Sequence, residues 1–159
     1  MAKKEQSPET SLQKVSHTYD VTNPQSALDF AKVLADFIEQ KKLFTLIQGK
    51  KFVNVEGWQF AGSQLGILPM IDGIVCQNSP DSKEIKYQCS CRLIRQSDGA
   101  LMGIGTAICS NRENAKKNFD EYAILSMAQT RAIGKAYRNL ISWLMKDRKS
   151  TRLNSSHRT

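Results

Sequence analysis

Residues 86 to 110 read KYQCSCRLIRQSDGALMGIGTAICS, and this stretch decides the fold. Tyr87, Cys89, Cys91 and Leu93 alternate with Lys86, Gln88, Ser90 and Arg92. That period of two is the mark of a half-buried strand, whose successive side chains leave opposite faces of the backbone. Asp98-Gly99 supplies a tight turn, and the alternation resumes from Leu101 to Ser110. Upstream, Met70 to Val75 alternates as well, joined to Lys86 through the looser turn signal Asn78-Ser79-Pro80-Asp81-Ser82. The expectation is an antiparallel three-stranded meander with one apolar face and one polar face bearing scattered positive charge. Gly103 and Gly105 remove side chains from one face of its last strand, and close approach of a helix is the favoured reason.

Outward from the meander, the pattern is helical on the C-terminal side. Asn118, with Glu121 three residues on, forms a capping signal, and no proline interrupts the chain from there to Lys146. At 1.5 Å per residue such a helix spans on the order of 40 Å. Ile133, Tyr137, Leu140 and Leu144 fall together and are expected to pack on the sheet. On the N-terminal side, Asn23-Pro24 reads as an N-cap and first helical residue. Ala27, Phe30, Ala31, Leu34, Phe37 and Ile38 follow at helical spacing, ending near Lys41. Leu43 to Gln48 and Lys51 to Asn54 then form a hairpin turning at Gly49. Asn54 opens a short helix placing Trp58, Ala61 and Leu65 on one face, stopped by Gly66. The fold class is therefore α+β: an N-terminal helix, a β-hairpin and a three-stranded meander packed on a long C-terminal helix, a β-β-β-α core. A chain of 159 residues supports one hydrophobic core, so residues 23 to 146 are expected to form a single domain.

The flanks carry different signals. Residues 1 to 20 mix Lys, Glu, Ser, Pro and Gln with little apolar content and are expected to be disordered. Residues 147 to 159 form a non-native or disordered tail, because Lys149 to His157, KSTRLNSSH, resembles a peptide that recurs where sequencing-adapter sequence is translated at contig ends. That tail holds +3 of the formal charge of +8, leaving +5 for residues 1 to 146. The body is moderately basic, which favours a polyanionic partner. No run of eighteen apolar residues occurs, and the first ten residues are polar. A cytoplasmic protein without a membrane partner is expected.

The chemistry-bearing residues point to binding and away from catalysis. P-loop, GxSxG and HExxH motifs are absent, and both histidines, His17 and His157, lie in the flanks. No cofactor and no catalytic residues are expected. The four cysteines lack paired CxxC spacing, so buried free thiols are favoured over a metal site. On the last helix, Arg131, Lys135 and Arg138 fall within about 60° of one another at 100° per residue. Acidic residues are missing between Glu121 and Asp147, leaving these cations without i,i+4 partners. Replacing all three by Ala is expected to weaken binding and leave folding intact. Arg112, Lys116 and Lys117 form a second positive cluster before the helix, and Lys50 and Lys51 stand at the hairpin. Phe52 is the favoured base-stacking residue, Trp58 being expected in the core.

The hairpin, the GWQFAGSQLGI helix, the meander and the helix reading AILSMAQTRAIGKAYRNLI together resemble the single-strand annealing proteins of the Rad52-like group, which includes phage recombination proteins. The likeness covers roughly residues 43 to 146. Gly134-Lys135-Ala136-Tyr137-Arg138 matches the group's last-helix pattern, and Gly57-Trp58 its Gly-Trp before the first meander strand. The resemblance implies single-stranded DNA bound in a groove between hairpin and helix, and strand annealing in homologous recombination without nucleotide hydrolysis. It further implies a homo-oligomeric ring or filament, a recombination partner protein, and a bacterial or phage-infected cell. The main alternative is a double-stranded RNA-binding module, which shares the order helix, three strands, helix and places a basic helix start near Asn114-Ala115-Lys116-Lys117. A metal-dependent nuclease, requiring carboxylates gathered in space, ranks below it, alongside an unrelated basic assembly protein.

Overall fold

The computed structural model describes residues 22–145. The expected tails at 1–20 and 147–159 lie outside the described residues. Helix α1 spans Pro24–Lys41, with Asn23 accepting hydrogen bonds from the Gln25 and Ser26 backbone N–H groups. Strands β1 (Phe44–Ile47) and β2 (Lys50–Val53) form the hairpin, and Gln48 and Gly49 both take positive φ at its tip. Helix α2 spans Val55–Leu65 and ends on left-handed Gly66. Asn54 holds the N-cap position, but its side-chain oxygen accepts from the Thr45 hydroxyl at 2.8 Å and so ties α2 to the hairpin.

Strands β3 (Ile67–Cys76), β4 (Lys86–Arg95) and β5 (Leu101–Ser110) make one antiparallel sheet in the order β3-β4-β5. β3 is longer than its alternation suggested. A register shift between Ile71 and Gly73 changes the phase of the pleat partway along, hiding its ends from a period-two reading. A 3₁₀ turn at Asn114–Lys116 leads to α3, Glu121–Ile141, which continues as a 3₁₀ turn over Ser142–Met145. The N-cap of α3 is Asp120, which accepts from the Ala123 backbone N–H at 2.8 Å, and not Asn118. Its carboxylate meets the helix dipole one residue before the first turn, where Asn118 lies too far upstream to reach.

The core lies between the sheet and the helices. Cys89, Cys91 and Leu93 of β4 are fully buried beneath Ile124, Ala128, Ala132 and Ala136 of α3. This alanine row is the fully buried ridge of α3, whereas the expected contacts Ile133 and Leu140 are only partly buried beside it. The small side chains allow a short helix–sheet separation, and Gly105 completes it. A Cβ on Gly105 would stand 2.6 Å from the Ala132 carbonyl oxygen and 2.7 Å from the Ala136 Cα. The close packing expected of the β5 glycines is thus set at Gly105, while Gly103 has ordinary contact distances. Tyr137 lies against Gly62 of α2 and donates its hydroxyl to the Ile67 carbonyl at 2.8 Å, joining α2, β3 and α3.

The outward sheet face is polar along β4, at Gln88, Ser90 and Arg92, as expected, but apolar on the flanking strands. Directly paired residues share a face, and the outward positions of β4 pair Ile94 with Leu68, Arg92 with Met70 and Ile104, and Gln88 with Val75 and Ile108. All five of those β3 and β5 residues are large, apolar and exposed. Cys89, Cys91 and Cys109 are buried free thiols as expected, but Cys76 is exposed at the end of β3.

Candidate nucleic-acid interface

A groove of about 450 Å³ opens where the hairpin base, the start of α2, the end of β5 and the middle of α3 converge. Val53, Val55 and Ala107 give it apolar walls, Ile108 borders it at the edge of β5, and Trp58 lines it from α2. Arg131, Lys135 and Arg138 all line it from α3. The helical spacing that put these three cations on one stripe therefore also brings them to one cleft. Gly134 sits among them, and a Cβ there would meet nothing within 4 Å. None of the residues lining the groove is acidic.

The cations are not equivalent. Arg131 grips Glu113 with two hydrogen bonds, Nη1 to Oε1 and Nη2 to Oε2, each 2.7 Å, and its Nη1 also donates to the Ile108 carbonyl at 2.9 Å. It is thus an ion-paired residue, contrary to the unpaired stripe expected, because Glu113 approaches from the preceding loop and not from α3 itself. Sequence spacing along one helix carries no sign of such a partner. Glu113 also accepts from the Lys116 ammonium at 2.7 Å and the Ser110 backbone N–H at 3.3 Å. The Arg131 guanidinium, with Lys116 assisting, holds the Glu113 carboxyl well below the usual carboxylate range. Lys135 and Arg138 are both exposed and have no carboxylate partner among the described residues.

The second positive cluster is largely spent within the protein. Arg112 pairs with Asp81 and stands 3.8 Å from Glu84, whose carboxylate also accepts from the Ser79 and Ser110 hydroxyls. Lys116 is buried on Glu113, and Lys117 remains exposed. At the hairpin, Lys51 pairs with Glu39 of α1 and lies 4.5 Å from the Phe44 ring centroid, while Lys50 is exposed. Phe52 is exposed, consistent with a stacking surface. Trp58 is 4% exposed and belongs to the interior, while half-buried Phe60 has one face taken by Phe37 at 3.8 Å.

Replacing Arg131, Lys135 and Arg138 together would consequently disturb folding as well as the groove, since Glu113 and the Ile108 carbonyl both lose a donor. Among the described residues no three His, Cys, Asp or Glu side chains gather into a group able to hold a metal ion, and no helix is long and apolar enough to cross a membrane. Fold and site together define an α+β domain with a basic, apolar-walled groove beside its long helix. The chain matches no protein-family model and no curated protein sequence.

Proposed function

We propose that this domain binds single-stranded DNA in the groove between hairpin and long helix and anneals complementary strands without nucleotide hydrolysis. The observation that carries the reading is the convergence of Arg131, Lys135 and Arg138 on one groove that also has apolar walls. Cations take the phosphates, and apolar side chains suit the sugar edges of an unpaired strand. Phe52 and Lys50 are exposed on the same hairpin, although they alternate with groove-lining Val53 and so leave its opposite face. Neither annealing nor binding on these terms calls for a cofactor.

Assembly into a homo-oligomer fits the same reading. The outward sheet face, where Leu68, Met70, Val75, Ile104 and Ile108 stand exposed on either side of polar β4 residues, is of the kind that subunit contacts cover. The free edge of β3 could extend the sheet from one subunit to the next. The duplex-RNA alternative is less well served, because Lys116, expected at a basic helix start, is buried on Glu113 several residues before α3 begins.

Labelled single-stranded DNA, duplex DNA and duplex RNA, each titrated across a salt series, test the proposal. Single-stranded DNA should bind tightest, with affinity falling steeply as salt rises. A preference for duplex RNA would sink it. Complementary labelled strands mixed with the protein should pair faster than without it and with no nucleotide added.

A further inference from the structure

Trp58, one of the residues lining the groove, carries a polar atom that the fold leaves unanswered. The indole Nε1 of Trp58 is buried and has no hydrogen-bond acceptor among the described residues. A buried donor without an acceptor is rare, because water has been stripped from it with nothing in exchange. Two other aromatic groups show no such laxity. Tyr137 donates to the Ile67 carbonyl, and the other tryptophan, Trp143, donates its Nε1 to the Leu140 carbonyl at 3.1 Å. Trp58 is also firmly placed: Gly57 beside it lets the hairpin base close on α2, since a Cβ there would stand 2.7 Å from the Val53 Cγ1.

We propose that the groove seats one phosphodiester group, with the Trp58 indole N–H donating to a phosphate oxygen while Lys135 and Arg138 supply the charge. The assignment rests on the single-strand reading and identifies which part of the strand enters the groove. The lining chooses the ligand class. Trp58, Arg131, Lys135 and Arg138 offer only donors, Thr130 alone offers a side-chain acceptor, and the other walls are apolar. A phosphodiester carries acceptors and no donor, so each polar group it brings into the groove can meet one of these donors. A base edge carries both, and its donors would face those apolar walls. Arg131 can take part without leaving Glu113, because its Nε–H and second Nη2–H are not used by the bonds to Glu113 and Ile108. Seating an oxygen on Nε1 requires a side-chain displacement in the groove wall, where Val53 and Val55 are only half-buried.

Two tryptophans give the test an internal reference. In protein labelled with ¹⁵N-tryptophan, an oligothymidine strand should move the Trp58 indole N–H resonance downfield and leave that of Trp143 in place. An abasic strand of the same length should do likewise. Trp58→Phe should bind the strand about tenfold more weakly, the scale of a hydrogen bond to a charged group. Its salt dependence should match wild type, since a neutral donor displaces no counterion. If Trp58→Phe fails to fold, Trp143→Phe assigns the resonances and the wild-type titration decides alone. A strand that binds by fluorescence anisotropy without moving the Trp58 resonance overturns the phosphate seat and leaves the single-strand reading standing. A shift with oligothymidine but not with the abasic strand overturns it too, in favour of a base. If no strand binds but inorganic pyrophosphate moves the Trp58 resonance, the seat stands and the single-strand reading fails.

Discussion

Replacing Lys135 and Arg138 together by Ala isolates the binding charge from the folding charge. Both side chains are exposed, line the groove, and have no carboxylate partner among the described residues. Their loss therefore breaks no ion pair seen in the fold, and alanine is the better helix former at both sites. Thermal stability should stay within about 0.5 kcal/mol of wild type. For single strands, the logarithm of affinity falls with the logarithm of salt at about 0.7 per phosphate neutralised, so two lost contacts should flatten the slope by roughly 1.4. Between about 50 and 200 mM salt, wild type should then lose roughly sevenfold more affinity than the variant does. Fluorescence anisotropy with a labelled oligothymidine strand at four or five salt concentrations measures both slopes. A double variant with unaltered affinity and slope would refute the reasoning, reducing the stripe to a solvated helix face.

Three other perturbations bear on the fold that holds the groove. Glu113→Gln should lower stability by about 1 kcal/mol once solvent screening of this part-exposed pair is allowed for, a fall of a few degrees in melting temperature. The Glu113 carboxyl is depressed in the folded state, so its contribution is present above the unfolded carboxylate pKa and lost as pH falls through the folded value. The gap between wild type and Glu113→Gln should hold steady from about pH 5 to 8 and narrow below about pH 4, as followed by denaturant melts. Gly105→Ala drives a methyl group into the α3 backbone at Ala132 and Ala136 and should cost about 1–3 kcal/mol or more, and an unchanged melting temperature would contradict the close approach. Burial raises the Cys89, Cys91 and Cys109 thiols, so in native protein a thiol reagent should modify exposed Cys76 quickly and the other three only on unfolding.

The groove illustrates how far sequence reading reaches. Arg131, Lys135 and Arg138 could be grouped because helical periodicity is local, and the same periodicity placed Trp58, Ala61 and Leu65 on the buried side of α2. The Glu113 pairing was invisible, since it joins a loop to a helix eighteen residues on, at a separation with no characteristic spacing. The same holds for Arg112 with Asp81, thirty-one residues apart, and Lys51 with Glu39. Each such pair removes a cation from the set that composition makes available.

By itself the sequence determined the elements and their order: the hairpin at Gly49, the meander turning at Asp98-Gly99, and an N-terminal helix capped by Asn23. These follow from backbone conformations and repeats that act over a few residues. Tertiary structure alone decided that the alanine row of α3 lies on Gly105, that Trp58 holds an unanswered donor at the groove, and which cations stay uncompensated. The reason is physical: burial and charge pairing depend on distances across the fold, and those distances exist only once helix and sheet have packed.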